Sequence, residues 1–178
     1  MDCIMELMDM LLHRRSIRKY TDEAIPEEKL EKIVQAGLLS FAGKGLNPWE
    51  MIVVRDKDML KKMAGCRNCG GMLDGADAAI VVLGDSEKSD TIVEDCSIVM
   101  TFMHLMADTL GVGGCWLQGR LRDAADGSVS TEEFLRNLLH YPEHMKLEAV
   151  LVLGMPAQQP EAHTLEALDH TKVHQETY

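Results

Sequence analysis

The densest concentration of one chemistry in this sequence is HRRSIRK, residues 13–19. Arg14, Arg15 and Arg18, with Ser16 among them, place three guanidinium groups and a hydroxyl within five residues. Guanidinium forks match phosphate oxygens in both geometry and charge, and the serine adds a further donor. The same residues also suit the C-terminal end of a helix, where cations complement the helix dipole. Spacing alone leaves both readings open. The rest of the chain favours the first: 29 acidic residues stand against 18 basic ones, a formal charge of −11 at pH 7. A knot of positive charge is conspicuous against that background. The same balance argues against nucleic-acid binding through the whole surface.

Three other groups carry weaker signals. Gly111, Gly113 and Gly114 in GVGGCWLQG lack the third glycine of a dinucleotide fingerprint, because Trp116 stands there, and they follow a helix instead of opening one. A helix end with a turn accounts for Gly111; close backbone approach to a flat ligand is the functional alternative. Cys66-x-x-Cys69 has zinc or redox spacing, but a tetrahedral zinc needs two more ligands, and Cys3, Cys96 and Cys115 are scattered. No bound metal is expected, and five cysteines in an intracellular setting are read as thiols. No G-x-S-x-G occurs, and no cysteine lies in a protease context. His104 falls on an apolar helix and is read as an interface or satisfied core histidine.

These residues must be positioned by elements that the hydrophobic pattern makes visible. Ile4, Leu7, Met8, Leu11 and Leu12 define an amphipathic helix over 3–13. Pro26, Glu27 and Glu28 open a second helix whose stripe is Leu30, Ile33, Val34 and Leu38. WEMIVVR (49–55), AAIVVLG (78–84) and LEAVLVLG (147–154) read as strands, the second too continuously apolar to be half exposed, and GVGGCWLQG as a turn into a strand. Asp56 caps a short helix to Met63, and Ser130 with Glu133 forms a capping box for another to Leu139. The run 91–110 is apolar nearly all round, which asks for burial on more than one side and so for a partner subunit. Thirteen methionines against two tryptophans, three tyrosines and three phenylalanines indicate an adaptable core or interface. At 178 residues, strands interleaved with helices describe one α/β or α+β domain. No apolar run approaches the length of a membrane helix, and Asp2, Glu6 and Asp9 do not suit a secretory leader. A cytoplasmic protein is expected.

Taken in order, RRSIRKY (14–20), P-x-x-x-L-x-x-I-x-x-A-G (26–37), NPW (47–49), ADAAIVV (76–82), ED before a long helix (94–110), GVGGCW (111–116) and VLGMP (152–156) resemble the nitroreductase family along nearly the whole chain. The resemblance implies an α+β three-layer sandwich, with a central mixed sheet flanked by helices, in an intertwined homodimer. It implies FMN at the subunit interface, with Arg14, Arg15, Ser16 and Arg18 on the ribityl phosphate. Ala42 and Asn47 would lie near the flavin ring, and Gly113 and Gly114 would approach it from the other side. Residues 1–156 would be the FMN-binding domain, and 157–178 an extension packing on the partner.

Two departures stand out. Gly45 and Asn47 replace the Asn and Gln common before Pro-Trp. The stretch AQQPEAHT offers only His163 where many members place Lys or Arg to complete the phosphate site. The implied activity is hydride transfer from NAD(P)H through FMN to a small acceptor, a nitroaromatic, quinone or flavin, by a ping-pong route. The alternatives are a non-enzymatic flavin-binding or flavin-sequestering protein on the same fold and, behind it, a CxxC metal or redox module.

Overall fold

Alternate residues of AAIVVLG point into two different cores. In the computed structural model, which describes residues 7–178, Ala78, Ile80 and Val82 join one buried cluster, and Ala79, Val81 and Leu83 join a second. This strand, β2 (Ala78–Asp85), lies in a four-stranded sheet with β1 (Trp49–Val54), β3 (Gly113–Gln118) and β4 (Met145–Gly154) in the order β1-β2-β4-β3. Side chains alternate faces along a strand, so a continuous apolar run requires both faces to be covered.

Among the described residues five α-helices accompany the sheet: α1 (Leu7–His13), α2 (Glu27–Leu38), α3 (Lys57–Met63), α4 (Ile92–Thr109) and α5 (Thr131–Leu139). Helices α2 and α4 close one core, with Ile33, Val99, Met100 and Met103 fully buried. Helices α3 and α5 close the other through Leu60, Met63 and Leu135. Each large side chain so buried contributes about 1.5–3 kcal/mol. The three-layer α+β arrangement agrees with expectation.

The expected mixed sheet does not. Every pairing among the described strands is antiparallel. Helix α4 carries the chain from β2 to β3 across the intervening β4, so the two strands that run the same way are never neighbours. The apolar run in β2 therefore reports two covered faces and says nothing of strand direction. Two smaller differences concern helices. Leu38 ends α2 on its outer side, 60% exposed, while Ala36 and Gly37 take the inner positions. The start of α1 expected at Cys3 and Ile4 lies outside the described residues.

Local signals set the other boundaries. Asp56 Oδ1 accepts from Met59 N at 2.7 Å, and Ser130 Oγ accepts from Glu133 N at 3.1 Å, each starting its helix. Helix α4 ends where Gly111 adopts φ +71°, a conformation that glycine enters without a Cβ penalty. The β2–β4 pairing has one irregularity. Val82 pairs with Ala149 but Leu83 pairs with Leu147, so Glu148 is the extra residue of a β-bulge in β4.

Candidate cofactor site

The basic segment leaves α1 and runs onto the edge of the sheet. Arg14 N donates to Met10 O at 2.9 Å, closing the last turn, and Ile17 N donates to Gly114 O at 2.9 Å on β3. Farther on, Thr21 N bonds Met155 O and Ala157 N bonds Lys19 O, so residues 19–21 pair with the continuation of β4. Ile17 is the buried anchor, 2% exposed, while Arg14, Arg15 and Ser16 are half-buried and Arg18 faces solvent. Tyr20, which the sequence reading passed over, locks the segment: its hydroxyl donates to Ile17 O at 2.8 Å, with Val152 O at 3.3 Å. Burial, with the Cys115 thiol nearby, pushes the Tyr20 pKa far up, so the phenol stays a donor.

The glycines are explained in part by packing within the chain. A Cβ on Gly113 would come within 2.8 Å of Ile17, and one on Gly114 within 2.7 Å of the His104 ring. Close backbone approach is real here, and its first partners are the chain's own side chains. His104 is 7% exposed and its Nε2 lies 3.0 Å from Gly114 O. Burial, and after it the Arg14 charge, lowers its pKa, against the Gly114 hydrogen bond and Asp108. The balance favours the neutral ring. A carbonyl can only accept, so the proton sits on Nε2. His104 is a satisfied core histidine that holds β3 against α4.

A phosphate would meet no carboxylate competing for these donors. Among the described residues no carboxylate forms an ion pair with Arg14, Arg15 or Arg18. Arg15 reaches the Glu161 carbonyl, and Arg18 Nη1 lies 3.5 Å from Ser16 O. The neighbouring carboxylate, Asp108, is taken by His13 Nδ1 at 2.8 Å, a contact that also ties α1 to α4. The donor set thus fits a dianionic phosphomonoester. The tail returns past this cluster, with His163 N on Leu12 O at 2.8 Å.

Ala42 and Asn47 belong to a different place. Their loop precedes β1 and is held by buried Asp95 in the first turn of α4, which accepts from Gly43 N at 2.8 Å and from the Thr91 hydroxyl at 3.0 Å. Lys44, Gly45 and Asn47 all have positive φ, and Lys88 Nζ holds the Asn47 carbonyl at 3.1 Å. This loop sits at the N-terminal end of α4, whereas Gly114 sits on His104, nine residues later. At 1.5 Å per residue the two anchors are about 14 Å apart along the helix. Within one chain, then, Arg14–Arg18 and Gly113–Gly114 come together, and Ala42 and Asn47 do not join them. Asp95 could have been suspected from the acidic pair opening α4, but nothing in the sequence points to its partner 52 residues away.

Cys66 is buried and Cys69 exposed. Among the described residues no group of three metal-ligating side chains forms, and no helix is long and apolar enough to cross a membrane.

Comparison with known proteins agrees with this architecture. The profile of the nitroreductase family matches residues 11–66 and 64–155. A protein of Archaeoglobus fulgidus provisionally named NADH dehydrogenase/NAD(P)H nitroreductase is 40% identical over 161 residues, covering 86% of this chain and 87% of the relative. A Methanothermobacter thermautotrophicus protein of the same provisional name is 35% identical over 98% of this chain and 88% of its own length. The solved structure of an FMN-dependent nitroreductase from Clostridium difficile R20291 superposes with a TM-score of 0.93 at 37% identity, covering 97% of this chain and all of that one. The chain belongs to the nitroreductase family.

Proposed function

We propose that the protein is an FMN-dependent oxidoreductase that uses NAD(P)H to reduce a small acceptor, and that it works as a homodimer. The observation that carries the reading is the set Arg14, Arg15, Ser16 and Arg18, which has no carboxylate partner among the described residues and runs beside the edge strand β3, in a chain similar to a solved FMN-dependent nitroreductase and to a relative named for NAD(P)H. FMN suits the set better than FAD, because a terminal phosphomonoester carries nearly two negative charges and three acceptor oxygens. When bound, FMN would supply hydride transfer from NAD(P)H to the acceptor; the protein contributes position, electrostatics and water exclusion.

The chain's own residues divide that work. Arg14 and Ser16, half-buried, would hold the phosphate. The backbone at Gly113 and Gly114, kept flush by Ile17 and His104, would border the flavin. The Ala42–Asn47 loop lies about 14 Å along α4 from that border, so one flavin would touch both when the loop comes from a second copy of the chain. No side chain is assigned as general acid or nucleophile.

The test is a visible spectrum of the purified protein followed by addition of NADPH or NADH under argon. Flavin absorbance that bleaches, and returns on adding a quinone, is the expected result. Initial rates at several fixed acceptor concentrations should then give parallel double-reciprocal lines, the mark of two substrates taking turns on one flavin face. A chain purified without flavin and unable to take it up would defeat the reading. Bound flavin that no nicotinamide reduces would favour a flavin-sequestering protein.

A further inference from the structure

Arg67 is half-buried in the turn between Cys66 and Cys69, and its Nε is buried without a hydrogen-bond partner. Among the described residues no carboxylate pairs with its guanidinium. Keeping a charged donor from water without an acceptor is costly, so this arginine points to an acceptor that arrives from outside. The turn itself is held firmly. Gly70 N donates to Arg67 O at 2.9 Å, a Cβ on Gly70 would come within 2.3 Å of Ala64 O, and the buried Thr131 hydroxyl donates to Cys66 O at 3.0 Å. After β3 the chain turns at Leu121, φ +55°, and Ala125 N donates to Gly65 O at 3.0 Å. Between that loop and the Cys66–Cys69 turn opens a polar cleft of about 480 Å³, whose walls include Arg67, Asn68, Arg122, Asp123 and Asp126.

The charges in the cleft select among ligands. Asp126 Oδ1 is taken up by Ser128 N at 3.0 Å and the Ser128 hydroxyl at 2.7 Å, and Arg122 Nη1 turns back to Leu121 O at 3.1 Å. That leaves, among the described residues, one open guanidinium on Arg67 and one open carboxylate on Asp123. A bare phosphate would meet both signs and gain little. A nucleotide satisfies both, with phosphate oxygens on the arginine and ribose hydroxyls on the carboxylate, the role an acidic residue plays in dinucleotide sites. A 2′-phosphate would instead face Asp123 as a like charge. The cleft also lies beside the proposed flavin border. Burial raises the pKa of Cys115, the residue after Gly114; Arg18 lowers it, Cys69 raises it and Arg14 lowers it, so Cys69 and both arginines are within its electrostatic reach. Arg67 precedes Cys69 by two residues, at most about 7 Å of chain. One end of a dinucleotide can therefore lie on the flavin while the rest runs into the cleft. Resting on the oxidoreductase reading above, we propose that the cleft holds the adenosine half of NADH, with Arg67 on the pyrophosphate and Asp123 on the ribose hydroxyls, and that Asp123 makes NADH the preferred donor over NADPH. Only the nicotinamide then occupies the flavin face, and its departure leaves that face to the acceptor.

The test follows flavin reduction by stopped flow under argon in the flavin-loaded wild type, in Arg67→Met, which keeps bulk without charge, and in Asp123→Asn, a change at an exposed position. Three donors are compared: NADH, NADPH and reduced nicotinamide mononucleotide, which lacks the adenosine half. Wild type should favour NADH over NADPH. In Arg67→Met the apparent Kd for NADH should rise about tenfold or more with the limiting rate of reduction kept, while the mononucleotide reacts as it does with wild type. Asp123→Asn should narrow the preference for NADH about fivefold or more. ADP-ribose, which carries the adenosine half and no hydride, should raise the melting temperature of the wild type but not of Arg67→Met. An unchanged Kd for NADH in Arg67→Met would overturn the proposal. So would loss of flavin from that variant, or an equal loss with the mononucleotide, since either would place Arg67 at the flavin itself. A wild type that favours NADPH would remove Asp123 from the ribose. An ADP-ribose shift in protein whose flavin no nicotinamide reduces would keep the cleft and sink the oxidoreductase reading instead.

Discussion

Arg14 and Arg18 differ in exposure, and that difference decides how much each should matter. Arg14 is half-buried beside His104, where a charge-assisted bond to phosphate is screened little, while Arg18 faces solvent. Hydrogen bonds to charged groups are worth about 1.5–3 kcal/mol, so Arg14→Ala alone should weaken flavin binding about tenfold or more, and Arg18→Ala less. The double variant should leave gel filtration without its yellow chromophore yet melt within a few degrees of the wild type, since neither side chain supports the core. Full flavin occupancy in the double variant would place the phosphate elsewhere. His163 and Arg15 act differently in this picture, because the first contributes a backbone N–H to Leu12 and the second is engaged with the Glu161 carbonyl.

At the scale of elements, two buried aspartates tie loops to the frame. Asp77 accepts from Ile25 N at 2.9 Å and pairs with Arg55 and Lys57, each at 3.0 Å, joining the turn before α2 to the end of β1 and the start of α3. Burial alone would raise its pKa, but the Ile25 N–H and the two cations outweigh it and hold the carboxyl below its ordinary value. A depressed folded-state pKa means the stabilisation is present above the unfolded pKa, near 4, and is lost as pH falls through the folded value. Asp77→Asn should therefore cost about 1.5–3 kcal/mol at pH 7 and flatten the acid limb of stability measured by urea unfolding below about pH 4. Asp95 holds the 42–47 loop in the same manner. Asp95→Ala leaves Gly43 N without its acceptor, and amide exchange from Gly43 to Asn47 should quicken while β2 and β4 stay protected. Unchanged exchange there would show that the loop keeps its left-handed residues without help. These ties mark the limit of what the sequence made legible. The strands, helix caps and Gly111 stop each follow from signals within a few residues of one another. The Asp77–Ile25 and Asp95–Gly43 bonds span 52 residues each, and the direction of pairing between β2 and β4 depends on how α4 crosses the sheet. The same applies to the candidate site: the arginine cluster is local and was visible, whereas its seat against Gly114 exists only once the segment after α1 lies along β3.

At the scale of the whole molecule, the face that α4 turns away from its own sheet is incompletely covered. Ile98, Phe102 and Leu105 are only half-buried, and beside them the end of α2 and the segment after it show Leu38 60%, Leu39 80% and Phe41 65% exposed. Phe41 meets Phe102 edge-on at 5.9 Å, so the patch is continuous from the loop to the helix. Contiguous apolar surface of this kind marks an interaction site, and the two separated halves of the proposed flavin site ask for the same partner, a second copy. Met103 cannot test this, because it is fully buried in the core of a single chain and a charge there would unfold the protomer regardless of any partner. Leu39→Glu with Phe41→Glu is the sharper choice, since both side chains leave the protomer core untouched. Wild type should sediment as a dimer at micromolar concentration and melt at a lower temperature on dilution, as linked assembly requires. The double variant should shift toward monomer and lose flavin in the same step, because the Ala42–Asn47 loop then no longer reaches the arginine cluster of another chain. A wild-type monomer at micromolar concentration would defeat the dimer. A monomeric double variant that retains all its flavin would show that a single chain builds the whole site.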